Sequence, residues 1–257
     1  MGKTAMNVRL RRDKMVQTIN EMGTVSFQKL KTCFTGVSDM TLRRDLEALD
    51  NERRIIRIHG GAKSVDVVIG TDDLFDRRAV RNAENKRCIA EKALQFIKPN
   101  ISIYIDSGTT TTTLASLIPD GPYLLFTNSI TCVAELIRLK QAEINLLGGR
   151  VNTFSRSTNG TRAISYLENV NFDIAIMSTT GYISGRGFSC GVEEENLLKR
   201  EVIRRSEKVI MLMDSLKVGF TCTFTTAALR DVNILVSDGQ LPPAVQAEIT
   251  KGGVMLL

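Results

Sequence analysis

A single histidine, His59, stands among the 257 residues of this chain. One imidazole builds neither a histidine-rich metal site nor a Ser-His-Asp triad, which removes the commonest general acid/base chemistry. Cysteine is poor in pattern rather than number: Cys33, Cys88, Cys132, Cys190 and Cys222 are scattered, odd in count and without a Cys-x-x-Cys pair. That argues against a disulfide framework and for reduced, mostly buried thiols. The apolar runs are short, Val209 to Met213 and Tyr123 to Phe126 being among the longest. A membrane-spanning helix needs roughly 20 such residues. The opening Met1-Gly2-Lys3-Thr4-Ala5-Met6 has no apolar signal region, and Met6 stands where a myristoylation motif needs Ser or Thr. A soluble, cytoplasmic protein without metal or cofactor is expected.

What is present begins with an ample 43% of hydrophobic residues and a net charge of +6 that is unevenly spread. Residues 1–62 hold 12 Lys+Arg against 7 Asp+Glu, and the remaining 195 hold 22 against 21. A small basic segment thus precedes a nearly neutral large one, which assigns a polyanionic partner to the first alone.

Within residues 1–62, Met15, Val16, Ile19 and Met22 recur at helical spacing and Gly23 ends the pattern. Ser26 can cap a second short helix that buries Phe27, Leu30 and Phe34, and Thr35-Gly36 breaks it. Ser38 caps a third helix, Asp39 to about Asp50, whose stripe is Leu42, Leu46 and Leu49. This is the order of a helix-turn-helix, in which the first turn of the last helix enters the major groove. Asp39, Met40, Thr41, Arg43 and Arg44 then reach bases or phosphates. The alternating run Arg53 to Ile58 and the turn His59-Gly60-Gly61 supply a two-stranded wing with a charged tip.

Residues 63–84, with Asp66, Asp72, Asp73, Asp76, Arg77, Arg78 and Arg81, are charge-rich and weakly periodic and read as a linker leading into a helix. From about Asn85, short apolar runs alternate with amphipathic stretches. Ile101–Ile105, Tyr123–Phe126, Ile144–Leu147, Phe172–Met177, Val209–Met213 and Asn233–Val236 read as strands, with helices over Lys86–Ile97, Ser129–Leu139, Gly160–Leu167 and Glu193–Ser206. This is a mainly parallel α/β sheet with its ligand cleft at the strands' carboxyl ends. Polar residues gather there: Asp106-Ser107-Gly108-Thr109-Thr110, Thr127-Asn128-Ser129, Gly148-Gly149-Arg150 and Asp214-Ser215-Leu216-Lys217. The first group is the most telling. A strand ends at Asp106 and a Gly/Thr-rich turn opens a helix, so backbone N–H groups, the helix's positive end and a row of hydroxyls face a common point, as an anion site requires. Taken singly, Thr-Asn-Ser is also a helix cap, Gly-Gly a turn, and Glu195 with Lys199 at i, i+4 an ordinary surface pair.

Val37-Ser38-Asp39-Met40-Thr41-Leu42-Arg43-Arg44-Asp45-Leu46, followed by Arg57-Ile58-His59-Gly60-Gly61-Ala62, resembles the winged-helix signature of the DeoR family of bacterial transcriptional regulators. The resemblance runs through the whole chain. It implies a winged helix-turn-helix over residues 1–62, a linker over 63–84, and over 85–257 a sugar-phosphate-sensing domain related in fold to ribose-5-phosphate isomerase. It implies DNA contacts from Ser38, Asp39, Met40, Thr41, Arg43, Arg44, Arg57 and His59. For a phosphosugar it implies a site of Asp106, Ser107, Gly108, Thr109, Thr110, Thr127, Asn128, Ser129, Gly148, Gly149, Glu195, Lys199 and Lys217, with no catalytic residue. The function implied is that of a repressor of a sugar-metabolism operon, a homo-oligomer on double-stranded operator DNA that a phosphorylated sugar releases. The rival is a sugar-phosphate isomerase-like enzyme, because Asp106, Asp214 and Asp238 all end strands and a carboxylate there can serve as a general base.

Overall fold

The computed structural model describes residues 7–52, 54–58, 60–64, 75–80 and 82–257. His59, Arg53, Arg81 and the linker residues Asp66, Asp72 and Asp73 lie outside the described residues. The chain divides into two compact units, Met1–Asp73 and Leu74–Leu257.

In the first unit α1 (Val8–Met22) is followed by a short strand, β1 (Thr24–Ser26), then α2 (Phe27–Cys33) and α3 (Asp39–Asn51), and by the hairpin strands β2 (Ile55–Ile58) and β3 (Gly61–Ser64). Both expected caps form: Ser26 Oγ accepts from Lys29 N–H and Ser38 Oγ from Thr41 N–H, each at 3.2 Å, which satisfies one orphan donor of each helix. Leu42, Leu46 and Leu49 are buried with Met15, Ile19, Leu30, Phe34 and Ile55 in one core. The antiparallel sheet has the order β1-β3-β2, so β1, too short to read from the sequence, makes the wing three-stranded. Gly61 is required there, because a Cβ would collide with the Val25 carbonyl across the β1–β3 pair. Asp45, which the sequence gives no reason to bury, is 2% exposed. It accepts from Arg11 Nε at 2.6 Å and Arg12 Nε at 2.9 Å, binding α3 to α1.

The second unit opens with α4 (Phe75–Val80), inside the segment expected to be a linker. Phe75 is buried, the Arg156 guanidinium lies 5.0 Å from its ring centroid, and Arg156 also pairs with Asp76 at 2.5 Å. Then come α5 (Ala83–Ala93), β4 (Ser102–Ile105), α6 (Thr109–Leu117), β5 (Leu124–Thr127), α7 (Ile130–Leu136) and β6 (Glu143–Leu146). A hairpin of β7 (Arg150–Asn152) and β8 (Ser157–Asn159) leads to α8 (Thr161–Tyr166) and β9 (Phe172–Ser178). The remainder is β10 (Gly181–Ile183), β11 (Gly187–Cys190), α9 (Glu193–Arg204), β12 (Ser206–Leu212), β13 (Phe224–Ala227), β14 (Ile234–Val236), α10 (Pro243–Lys251) and β15 (Met255–Leu256).

The main sheet has seven parallel strands in the order β15-β14-β12-β9-β4-β5-β6. Its strands read as continuous apolar runs because both faces are covered. Ile103, Ile105, Leu125, Ile176, Ile210 and Leu212 pack against α5, α6 and α7. Tyr104, Phe126, Ala175, Met177, Val209 and Met211 pack against α8, α9 and α10. All six strands expected from the sequence are present with edges shifted by a residue or a few. The antiparallel set β10-β11-β13 and the hairpin β7-β8 are additional.

One surface network carries an acid-stability prediction. Glu201 on α9 accepts from Arg204 Nε and Nη2 at 2.9 and 2.7 Å and from Arg205 Nε at 2.5 Å. Those bonds, Arg204's foremost, lower its carboxyl from 4.5 to about 2. A depressed carboxyl contributes stability that is present above its unfolded value and is lost as pH falls toward 2. With solvent screening at this partly exposed site the contribution is about 1 kcal/mol. Glu201→Gln is therefore expected to flatten the acid limb of urea-unfolding stability between pH 4.5 and about 2. A variant with the wild-type slope would show the network to be inert.

Candidate functional site

In the first unit, the outer face of α3 is the chemically distinctive surface. Asp39, Met40, Arg43 and Arg44 are exposed and Thr41 is half-buried, its hydroxyl 2.9 Å from Ser38 Oγ. Asp39 pairs with Lys31 at 2.9 Å, which holds the helix's first turn to α2. The Arg43 guanidinium lies 4.4 Å from the Phe27 ring centroid, a cation–π contact that fixes its direction. Arg44 makes no hydrogen bond or ion pair with a described residue. Arg57 is exposed on β2, its backbone N–H held by Asp50 Oδ1 at 2.9 Å.

In the second unit, topology fixes where a cleft must form. From β4 the chain proceeds outward through β5 and β6, whereas from β9 it proceeds the other way through β12, β14 and β15. The crevice outside the carboxyl ends of β4 and β9 is thus the switch point at which open α/β sheets bind ligands. Asp106 directly follows β4 and Ser178 ends β9, and they meet: Asp106 Oδ2 accepts from Ser178 N–H at 2.9 Å and from its hydroxyl at 2.8 Å. Lys199, projecting from α9, pairs with the same oxygen and also donates to the Ser178 carbonyl at 3.3 Å. Asp106 is 1% exposed and Lys199 5%. Burial, the largest single effect, lowers the ammonium's pKa, but the Asp106 charge together with Cys190, Glu195 and the Asp106 hydrogen bond raises it on balance, so the lysine stays protonated. Asp106 Oδ1 is buried with no hydrogen-bond partner among the described residues.

Gly108 joins that pair to α6. A Cβ on Gly108 would stand 2.8 Å from Ser178 Oγ, so only glycine lets the loop pass the β9 terminus. The row of hydroxyls expected from the sequence is shorter than its threonine run. Thr111 and Thr112 donate back to the Gly108 carbonyl at 2.9 and 2.7 Å, and Thr113 to Thr109 at 2.9 Å, as mid-helix threonines commonly do. Ser107, Thr109 and Thr110 keep hydroxyls without a hydrogen bond to a described residue.

The other expected residues divide. Thr127, Asn128 and Ser129 are buried, and their polar atoms are engaged in structure. Thr127 Oγ1 accepts from Ser129 N–H at 3.0 Å, and Ser129 Oγ caps α7 through Cys132 N–H at 3.1 Å. Asn128 accepts from Tyr104 Oη at 2.9 Å and donates to the Thr158 carbonyl at 3.1 Å. Gly148 and Gly149 are exposed at the foot of β7. Glu195, half-buried on α9, approaches Asn152 Nδ2 at 3.5 Å. Lys217 follows β12 on a short turn, and its side chain forms no hydrogen bond or ion pair with a described residue. Ser178 and Tyr104 were not legible as site residues. Ser178 lies in an undistinguished Ser-Thr-Thr-Gly run, and Tyr104 looks like an ordinary strand aromatic. Burial, then Asp106, push the tyrosine's pKa well up, so it serves as a neutral donor.

Two family models together cover most of the chain. Residues 11–68 match the DeoR-like helix-turn-helix domain, and residues 81–239 match the DeoR C terminal sensor domain. The HTH-type transcriptional regulator GlpR of Haloferax volcanii is 30% identical over 248 residues, 96% of this chain and 96% of its own. The L-fucose operon activator of Haemophilus influenzae is 30% identical, covering 95% of this chain and 98% of its own. Among solved structures, ribose 5 phosphate isomerase A from Neisseria gonorrhoeae aligns over 52% of each chain at 19% identity, with a TM-score of 0.35. A helix-turn-helix in the first unit, a sensor-type sheet in the second and relatives matched from end to end make this chain a DNA-binding transcriptional regulator that belongs to the DeoR family.

Proposed function

We propose that this regulator represses a sugar-metabolism operon in the cytoplasm, sitting on its operator as a homo-oligomer until a phosphorylated sugar releases it. Residues 1–62 are the DNA reader, 63–84 the connector and 85–257 the sensor. The observation that carries the reading is the Asp106–Thr110 loop. At the sheet's switch point it presents the amino end of α6, the hydroxyls of Ser107, Thr109 and Thr110, and a buried acceptor on Asp106. Phosphate belongs at the helix end and hydroxyls, with Lys217 as the added cation, while Asp106 Oδ1 suits a sugar hydroxyl. Release is linkage: a ligand with unequal affinity for the DNA-competent and incompetent states shifts their balance, and a coupling of about 1–3 kcal/mol changes operator affinity roughly 5- to 150-fold.

The isomerase rival loses its bases. Asp106 is neutralised by Lys199, and Asp214 Oδ1 caps the turn through Leu216 N–H at 3.1 Å. Asp238 accepts from Ser215 N–H and Oγ at 3.1 and 2.9 Å and from Asn85 at 2.8 Å. Burial, the largest single effect, raises the Asp238 pKa, but the bonds from Ser215, Gln240 and Ser237 together hold it below the ordinary carboxylate range.

A thermal-shift panel of hexose and pentose phosphates, with the unphosphorylated sugars as controls, tests the ligand class, since a ligand at 100 times its Kd adds about 2.7 kcal/mol. For the sugar that shifts the wild type, Lys217→Ala is expected to weaken binding by about 10- to 100-fold in calorimetry, the worth of a lost charge-assisted bond. Operator affinity in gel shift should not change. Wild-type affinity in the variant would remove Lys217 from the cleft, and a panel without a shift would overturn the phosphosugar reading.

A further inference from the structure

A second cavity, of about 520 Å³, opens on the other flank of α9, among the foot of the β7–β8 hairpin, the start of α8 and the first turn of α9. It is large enough for a small metabolite. Of the residues expected in the effector cleft only Gly149 lines it, and Asp106, Lys199 and Lys217 do not. Its polar lining is cationic at the mouth and amide-like at the base. Arg150 and Arg162 stand at the rim, Arg150 paired with Glu194 and Arg162 with no hydrogen bond or ion pair to a described residue. Asn159, 2% exposed, lines the wall. Its Nδ2 donates to Ser157 Oγ at 3.0 Å, but its Oδ1 is buried without a hydrogen-bond partner among the described residues. Gly149 brings the hairpin so close to Asn159 that a Cβ would meet its carbonyl, which keeps this wall free of side-chain bulk. Ile164 and Leu197 give a carbon skeleton something to rest on.

We propose that this cavity is a second small-molecule site, for an anionic polyol such as a phosphosugar or sugar acid. The anionic group sits between the guanidiniums of Arg162 and Arg150, displacing Glu194 from the latter, and a ligand hydroxyl donates to Asn159 Oδ1. Arginine suits this task because its planar fork takes two oxygens of one phosphate or carboxylate. The site does not depend on the Asp106 loop being a phosphate cradle. It is nonetheless connected to it in structure, since α9 carries Glu194 and Leu197 into this cavity and Lys199 to Asp106.

The test is NMR of the arginine Nε–Hε groups in the full-length protein, with Arg150→Lys and Arg162→Lys used to assign the two signals. Fructose 1,6-bisphosphate, gluconate and inorganic phosphate are titrated, with neutral fructose as the control. At least one of the two polyol anions should shift the Arg162 signal saturably, the responding arm telling a phosphosugar from a sugar acid, and neutral fructose should not. Asn159→Ala should weaken that polyol anion by about tenfold and leave inorganic phosphate unaffected. Because Asn159 is buried, the exposed variant Arg162→Ala gives an independent reading and should abolish saturation of the Arg150 signal. Thr109→Ala, in the Asp106 cleft, should leave the titration intact. Absence of a saturable shift with all three anions overturns the proposal, and so does loss of the shift in Thr109→Ala, which would move the ligand to the Asp106 cleft.

Discussion

Lys199→Ala is expected to lower the unfolding free energy of the larger unit by about 3–5 kcal/mol, the usual cost of stranding one member of a buried ion pair. The reason is the company the lysine leaves behind. Asp106 is 1% exposed and shares Oδ2 among the Ser178 N–H, the Ser178 hydroxyl and the ammonium, while Oδ1 has no hydrogen-bond partner among the described residues. Two neutral donors do not replace a full positive charge in a site buried from solvent. The paired change Asp106→Asn with Lys199→Met should recover most of the loss, because it removes both charges and keeps the volume. Urea unfolding followed by tyrosine fluorescence reads this cleanly. The chain has no tryptophan, and its four tyrosines, Tyr104, Tyr123, Tyr166 and Tyr182, all lie in the larger unit. Since the lysine's pKa is raised in the folded protein, its contribution is complete below the ordinary lysine value and fades only as pH rises past it. A loss below about 1 kcal/mol in Lys199→Ala would mean that the pair behaves as a solvated one.

That pair also marks where the sequence stops being readable. Strand runs and caps are local, so Leu42, Leu46, Leu49, the Ser26 and Ser38 caps and the six apolar strands could be placed from periodicity alone. Asp106 at the end of an apolar run before Gly and Thr was legible for the same reason. Lys199 was named for the site by resemblance, but its pairing with Asp106 was not legible, nor was Ser178: they lie 93 and 72 residues away, and only the fold brings them together. The threonine run misled because composition does not tell whether a hydroxyl faces outward or returns to its own helix, as Thr111, Thr112 and Thr113 do. Thr127 and Ser129 carried a cap signal and a cleft signal at once, and their hydrogen bonds are those of the cap. Charge-rich composition likewise concealed Asp45, buried between two arginines, and Phe75, buried within a stretch that reads as linker.

Replacing both Arg43 and Arg44 with alanine is expected to reduce operator affinity by about 10²- to 10⁴-fold, with each single change contributing about 1–3 kcal/mol. The operator is obtained by selecting binders from random duplex with the wild-type protein, so that no target need be assumed. The two arginines are adjacent in sequence but not equivalent in structure. Arg43 rests on the Phe27 ring at 4.4 Å and is held in one direction before DNA arrives, as bidentate reading of a guanine edge favours. Arg44 has no such anchor and suits the less demanding geometry of a phosphate. Arg43→Ala should therefore relax sequence preference at one base pair with little change in salt dependence. Arg44→Ala should weaken all sequences alike and reduce the salt slope by about one. Phe27→Leu, which keeps the core filled and removes the aromatic face, should reproduce part of the Arg43→Ala loss, and this separates anchoring from mere charge. Neither single change should alter ligand-induced thermal stabilisation of the larger unit, since both lie in Met1–Asp73. Equal salt slopes and unchanged sequence preference in the two single variants would abolish the division of labour. Unchanged affinity in the double variant would remove α3 from the groove altogether.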